Sequence, residues 1–377
     1  MADNKDKKVL NVPALRFPEF SREWKRHKLS EICSFYSGGT PSSSKKEFYN
    51  GNIPFIRSGE LHKDKTELFI TEDGLNSSAA KLVEIGDLLL ALYGATSGDI
   101  AISKIKGAIN QAILCIRTKQ NKKFIESVWN KHVERLLQTY LQGGQGNLSA
   151  DIVKNIPFYF ADLEEQDKLA NFISLLDERI STQNKIIEDL KKLKSAIYQE
   201  IFSNLQGEEC SLLDLAEIIK GQQINGSELS DSGKYYVMNG GIAPSGYYDS
   251  YNTEADTISI SEGGNSCGYV QYNSSEFWSG GHCYTLRIKP TSSIATHFLF
   301  HYLKWKEPDI MALRIGSGLP NIQKKDLSKI SIIVPTLDKQ LQLTVLLSAF
   351  KKKIENEEMY VANLDKQKQY LLQQMFI

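Results

Sequence analysis

Apolar residues recur at alternating spacings of three and four along two stretches of this chain. In the first, Leu169, Leu176, Gln183, Leu190 and Ile197 fall seven apart and interleave with Ile173, Ile180, Ile187, Lys194 and Ile201; no Gly or Pro interrupts from Leu163 to Leu205. In the second, Leu343, Phe350, Glu357, Leu364 and Leu371 interleave with Leu347, Ile354, Val361, Lys368 and Met375. Five heptads of such a seam predict two long helices of coiled-coil type rather than ordinary surface helices. Both seams are too apolar to leave in water, so the two helices are expected to pair with each other, the other arrangement being that each packs on its own globular unit. The polar slots argue for an antiparallel pair. A parallel, in-register pair would bury Lys194 across from Lys368, whereas the antiparallel pair carries each lysine toward a serine of the other helix, Ser348 or Ser174, and brings Gln183 and Glu357 together at the middle.

Between these stretches the pattern shortens. Short helices are predicted at 28–35 and 212–219, each ending at a glycine, Gly38 or Gly221. Alternating or aromatic-rich runs bounded by turn residues predict strands at 53–57, 88–93 and 112–117, and again at 235–238, 257–261, 269–272 and 283–288. A further helix is predicted after each set, at 122–141 and 294–306. The expected class is α+β: two strand-rich modules, duplicates of one another, separated and joined by two long antiparallel coiled-coil helices. The boundaries expected are a leader over 1–23, a first module over 24–162, the first helix over 163–206, a second module over 207–336 and the second helix over 337–377.

The duplication is visible residue by residue. At a constant offset of 174, Gly144, Asn147, Ile156, Leu163, Gln166, Leu169, Ile180, Leu190, Lys192, Lys194, Gln199 and Phe202 fall on identical residues, from Gly318 to Phe376. Upstream the register loosens to an offset of 183 for the segments ending at Gly38 and Gly221, and 170 for Gly94 and Gly98 on Gly264 and Gly268. A period this long is domain duplication and not a solenoid repeat.

Composition changes the picture in one respect. The 45 basic and 45 acidic residues cancel, which excludes a uniformly basic nucleic-acid binder. By segment they do not cancel: residues 1–160 hold 23 basic and 17 acidic, residues 207–334 hold 10 and 14. Five scattered cysteines without a C-x-x-C pair predict a reducing, cytoplasmic setting. The first twenty residues predict no signal peptide, and no run approaches a membrane span.

Catalytic constellations are missing. The string around Lys234 lacks the spacing and hydroxyl of a phosphate loop, and the glycines at 143–146 are a weak phosphate cradle that reads better as a turn, like Gly316 to Gly318. His297 and His301 stand four apart without a third ligand, and His282 and Cys283 point to opposite faces of a strand, so neither a metal nor a nucleophile is expected. The strings beginning at Asn52 and Asn155 have Ile where an amino-methyltransferase tetrapeptide has its first proline, and read as strand entrances.

What remains is a binding inventory. In the first module Lys45, Lys46, Arg57, Lys63, Lys65, Lys104 and Lys106 offer phosphate-attracting charge, and Thr40, Asn110 and Gln111 are further polar candidates. Arg57 suits guanine or a surface salt bridge equally. In the second, Gln222, Gln223, Asn225, Asn239, Tyr247, Tyr248, Asn252, Asn265 and Ser266 are neutral groups able to hydrogen-bond base edges or phosphates, although such residues also populate ordinary loops and half-buried cores.

The order of these features resembles the specificity subunit of type I restriction-modification systems. The resemblance rests on the leader from Leu15 to Phe20 followed by Trp24, on Gly38 to Ser42, on Ile53 to Gly59, on Gly86 to Leu90 with Tyr93 and Gly94, and on Pro157 ahead of Leu163 to Gln166. In the second half it rests on Ser245 to Tyr248, Gly264 to Ser266, Phe277 to Ser279 and His282. It implies a non-catalytic, cytoplasmic DNA-recognition subunit in which each module reads one half of a bipartite double-stranded site. It further implies that the helices set the spacing and dock two modification (methyltransferase) subunits, and that restriction (motor-nuclease) subunits join the full complex. No cofactor is expected on this chain; S-adenosylmethionine, ATP and magnesium would belong to the partners. Two other readings are a complete methyltransferase or restriction enzyme, for whose cofactor fold the chain leaves no room, and a coiled-coil interaction or adhesin-like protein.

Overall fold

A computed structural model describes residues 10–141, 147–316, 318 and 320–377. The glycine-rich turn expected at 143–146 lies outside the described residues, as does Ser317 of its counterpart. The chain divides into two compact units, one formed by residues up to Asn184 together with Tyr360–Ile377, the other by Lys185–Met359.

The first unit has two four-stranded sheets. One orders its strands Cys33–Ser37, Ile113–Thr118, Leu88–Ala91, Ile100–Ile102, all antiparallel. The other orders Phe69–Ile70, Tyr49–Ile56, Gly107–Ile109, Lys81–Val83, and in it Tyr49–Ile56 and Gly107–Ile109 run parallel. A separate pair, Lys25–Lys28 against Pro157–Phe160, closes the module next to the long helix. The helix Lys122–Leu141 lays Phe124, Ile125, Val128 and Trp129 onto the first sheet, in a core shared with Trp24, Phe158, Leu169, Ile173, Met375 and Phe376.

The second unit repeats this plan. Ala216–Lys220, Cys283–Ile288, Thr257–Ser261 and Val270–Asn273 form the antiparallel sheet, and Glu208–Ser211 pairs with Ser331–Val334. Tyr247–Tyr248, Tyr235–Met238 and Trp278–Ser279 form the second sheet, again with a parallel pairing. The helix Thr296–Trp305 buries Phe298, Leu299, Tyr302 and Leu303 with Tyr198, Phe202, Leu343 and Leu347. Duplication reaches single hydrogen bonds. Leu92 N donates to Ala112 O at 2.8 Å as Glu262 N does to His282 O at 2.9 Å, and Leu148 N donates to Leu92 O at 2.9 Å as Ile322 N does to Glu262 O at 2.8 Å.

The long helices are Leu163–Ser203 and Leu337–Met375, of 41 and 39 residues. Asp162 caps the first, its side chain accepting from Glu165 N at 3.1 Å, with Glu164 and Glu165 in the first turn complementing the helix dipole. Within the first unit the early residues of one helix meet the late residues of the other: Leu169 and Ile173 share a core with Leu372 and Met375, and Asp177 pairs with Lys368 at 2.5 Å. Within the second unit Lys191 pairs with Glu358 at 2.6 Å, and Tyr198 and Phe202 share a core with Leu343 and Leu347. Both sets of contacts require antiparallel helices. All twenty seam positions named above are buried or half-buried.

Three expectations need correction. The helices expected at 28–35 and 212–219 are single turns, Leu29–Ile32 and Leu212–Leu215, that pass directly into the strands Cys33–Ser37 and Ala216–Lys220. The apolar spacing there serves strand pairing, with Phe35 opposite Ile116 and Ile218 opposite Leu286. Asn52 to Phe55 is not an entrance but lies inside Tyr49–Ile56, where a register shift between Tyr49 and Ile53 opposite Ile70 accommodates the extra residues. Lys368 meets Asp177 rather than Ser174. Among the described residues no helix is long and apolar enough to cross a membrane, and no cluster of His, Cys, Asp and Glu is arranged to hold a metal.

Candidate nucleic-acid interface

The parallel strand pairing organises the candidate residues. In the first unit Ile56 lies beside Ile109, so Arg57 and Asn110 leave the sheet at the same end, and Asn110 N donates to Ile56 O at 3.3 Å. The loop after Cys33–Ser37 joins them: Gly39 N donates to Ile109 O at 3.2 Å, and the Thr40 hydroxyl donates to Gln111 Oε1. Thr40, Arg57, Asn110 and Gln111 therefore form one rim, built from loops that follow three different strands. Thr40 and Gln111 are exposed, while Asn110 is half-buried and accepts from Ala112 N at 3.2 Å.

Arg57 is not a free cation. Its Nε and Nη2 donate to the two oxygens of Glu60 at 3.1 and 3.0 Å, and Glu67 lies 3.8 Å away. Glu60 is only 3% exposed. Burial pushes its carboxyl up, but bonds from the Arg57 side chain and backbone and from Thr66 outweigh that and hold it at about 2. The salt bridge is thus realised, and it leaves Arg57 half exposed with its guanidinium fixed in orientation.

The lysines are dispersed. Lys45 rests over the Phe48 ring at 4.9 Å, Lys106 pairs with Glu84 at 3.1 Å, and Lys104 donates to His62 O at 3.4 Å. Lys46, Lys63 and Lys65 are exposed.

The second unit builds the same rim from different residues. Met238 lies beside Ser279, so Asn239 occupies the place of Arg57, and Gly280 and Gly281 those of Asn110 and Gln111. Gln222 N donates to Ser279 O at 2.8 Å, and Gln223 stands where the first unit has Thr40. Asn239 Oδ1 accepts from His282 N at 3.1 Å. Tyr248 packs edge-on against Trp278 with ring centroids 5.0 Å apart, and the Trp278 indole donates to Gln222 O. Tyr247 is half-buried in the short strand beside Tyr235–Met238. Two candidates are occupied internally: Asn252 bonds both Ser279 N (2.7 Å) and Ser279 O (3.0 Å), and Asn225 donates to Glu228 at 2.8 Å.

Behind this rim opens a cleft of about 500 Å³ lined by Lys220, Asn239, Glu262, Asn265, Ser266 and His282, among others. Glu262 is 8% exposed and accepts from Lys220 at 2.6 Å and from the Tyr284 hydroxyl at 3.1 Å. Sequence reading missed Glu262 and Lys220. The signal was available: at an offset of 170, Glu262 falls on Leu92, a core leucine in the first unit. His297 and His301, weighed as metal ligands, serve packing: His301 bonds Tyr198 and Ser348, and His297 lies against Tyr272.

The family model of the type I restriction modification DNA specificity domain matches residues 21–192 and again 206–363. A putative type I specificity subunit of Mycoplasma pneumoniae is 35% identical over 39% of this chain and 39% of its own length. The match thus spans about two fifths of that relative. The EcoprrI type I restriction enzyme specificity subunit of Escherichia coli is 22% identical over 85% of this chain and 86% of that protein. The crystal structure of a type I restriction-modification S subunit from M. genitalium shares the fold, with a TM-score of 0.65 at 19% identity, covering 97% of this chain and 99% of the other.

Proposed function

Because the chain belongs to the family of type I restriction-modification DNA specificity proteins, we propose that it is the non-catalytic recognition subunit of such a complex, each unit reading one half of a bipartite site in double-stranded DNA. The observation that carries this reading is the duplicated rim. One scaffold, conserved to single backbone hydrogen bonds, presents Thr40, Arg57, Asn110 and Gln111 in one unit and Gln223, Asn239, Gly280 and Gly281 in the other. Constant support with altered hydrogen-bonding edges is what two readers of unlike half-sites need, since side-chain donors and acceptors distinguish base pairs.

The long helices set the spacing and dock two modification subunits, which carry S-adenosylmethionine; ATP and magnesium act on the restriction subunits. The acidic second unit draws little phosphate affinity from its own charge, so the chain alone holds DNA weakly and gains affinity in the complex. Mapping methylated adenines in cells that express the chain with its modification subunit tests the assignment. Thr40→Ala with Gln111→Ala should relax the first half-site only, and Gln223→Ala with Asn239→Ala the second only. An unchanged methylation pattern in both variants would sink it.

A further inference from the structure

Exchange of the two copies reverses one charge. In the first unit the seam lysine Lys368 is neutralised by Asp177 at 2.5 Å, and Lys123 meets the same carboxylate at 2.7 Å. The 174-residue offset carries Lys368 back to Lys194 and Asp177 forward to Lys351. An attractive pair in one copy therefore becomes two lysines in the other.

Both line a cleft of about 590 Å³ inside the second unit. Lys194 is half-buried, lies 5.4 Å from the Tyr198 ring, and has no carboxylate within 4 Å among the described residues. Lys351 reaches Glu355 only at 3.7 Å. Burial, Lys304 and Lys351 together push the Lys194 ammonium below its ordinary range. A half-buried cation with no carboxylate in direct contact is costly, since Glu355 and Glu307 act on it only from farther off, and the fold retains it in the lining of this cleft.

We propose that this cleft seats a carboxylate side chain of a partner protein between Lys194 and Lys351, in the role that Asp177 plays in the first unit, with an adjoining apolar side chain lying against Trp305 and Pro308. A single carboxylate suits the site better than DNA. Glu307, Glu355 and Glu358 stand around the same cleft and would repel a continuous phosphate chain. The seat rests on the reading that the chain assembles with modification subunits. It makes the two docking positions unequal, because the carboxylate that the first unit supplies as Asp177 is replaced in the second by Lys351.

The test uses the full chain assembled with its modification subunit, with stoichiometry read by native mass spectrometry over a dilution series. Lys351→Asp recreates the internal pair of the first unit. It should raise the melting temperature and weaken retention of one modification subunit by tenfold or more, leaving the other in place. Lys194→Met removes the cation without supplying a partner and should weaken the same subunit. Lys352→Asp, the same charge change on an exposed neighbour, should leave assembly as in the wild type. Unchanged assembly in both Lys351→Asp and Lys194→Met overturns the seat, as does an equal loss in Lys352→Asp. Weaker DNA retention by the chain alone with assembly intact would make it a phosphate site and also overturns it. A wild-type chain that binds no modification subunit overturns the functional reading itself, and the seat with it.

Discussion

The Tyr198 hydroxyl lies 2.6 Å from His301 Nδ1, and the opposite ring nitrogen lies 3.1 Å from Ser348 Oγ, so one imidazole ties a long-helix residue to each of two further helices of the second unit. The arrangement suits a neutral ring that accepts from Tyr198 and donates to Ser348. Burial first, then Lys194, His297 and Lys351, lowers its pKa to about 4.

That depression makes the second unit acid-sensitive in a defined window. Between about 6.5 and about 4 the unfolded chain binds a proton at this position that the folded chain refuses, so stability is complete above 6.5 and falls as pH drops toward 4. At about 1.4 kcal/mol per unit the loss approaches about 3 kcal/mol. Urea denaturation at pH 7 and pH 4.5 should show it in the wild type and much less of it in His301→Gln. Equal pH dependence in the two proteins would contradict the assignment.

Arg57 serves the rim through Glu60. Arg57→Ala should cost about 2–3 kcal/mol by leaving a buried carboxylate without its main partner, and should alter the first half-site in the methylation map. Arg57→Ala with Glu60→Gln separates the two effects. Stability recovers in part, whereas the altered recognition persists if the guanidinium itself reads DNA.

Gln166 and Gln340, both fully buried, are the same clamp in the two copies. Gln166 accepts from Asn121 N at 3.1 Å and donates to Ala161 O at 2.8 Å; Gln340 accepts from Ala295 N at 2.7 Å and donates to Pro335 O at 2.9 Å. Each ties the start of a long helix to the segment leading into the flanking helix. Replacing either by Leu should cost about 2–4 kcal/mol through stranded buried backbone groups, measured as a drop in the denaturation midpoint.

Gly98 and Gly268 are also equivalent, at φ +86° and +94°, yet Ala should be tolerated unequally. A methyl at 98 meets the side-chain ends of Val133 and Leu137, whereas at 268 it meets the Met311 backbone at 2.8–2.9 Å. Both pay for the left-handed backbone, about 1–2 kcal/mol; Gly268→Ala should be the more destabilising by at least as much again, and equal melting temperatures would refute the argument.

The seams and the repeat were legible because a heptad over about forty residues is a long-range periodic signal that no local structure imitates. The segments after Leu29 and Leu212 were not, since a few apolar residues fit periods of 3.6 and 2 alike and the deciding strand partner lies about eighty residues away in sequence in the first copy and about seventy in the second. Rim residues could be nominated by type but not grouped, because Thr40 and Gln111 meet only once the sheets form. The reversal between Asp177 and Lys351 was written in the aligned copies, yet its meaning depends on the cleft beside it.

The core of the first unit contains Phe376 at 0% exposure, packed on Trp24 and Phe124 at ring distances of 6.3 and 5.4 Å. During synthesis, that core cannot close until the last helical turn has left the ribosome, whereas the second unit is a contiguous stretch from Lys185 to Met359. The part of the chain made first is therefore the part that finishes folding last, and its apolar face stays half-built while the second unit is made.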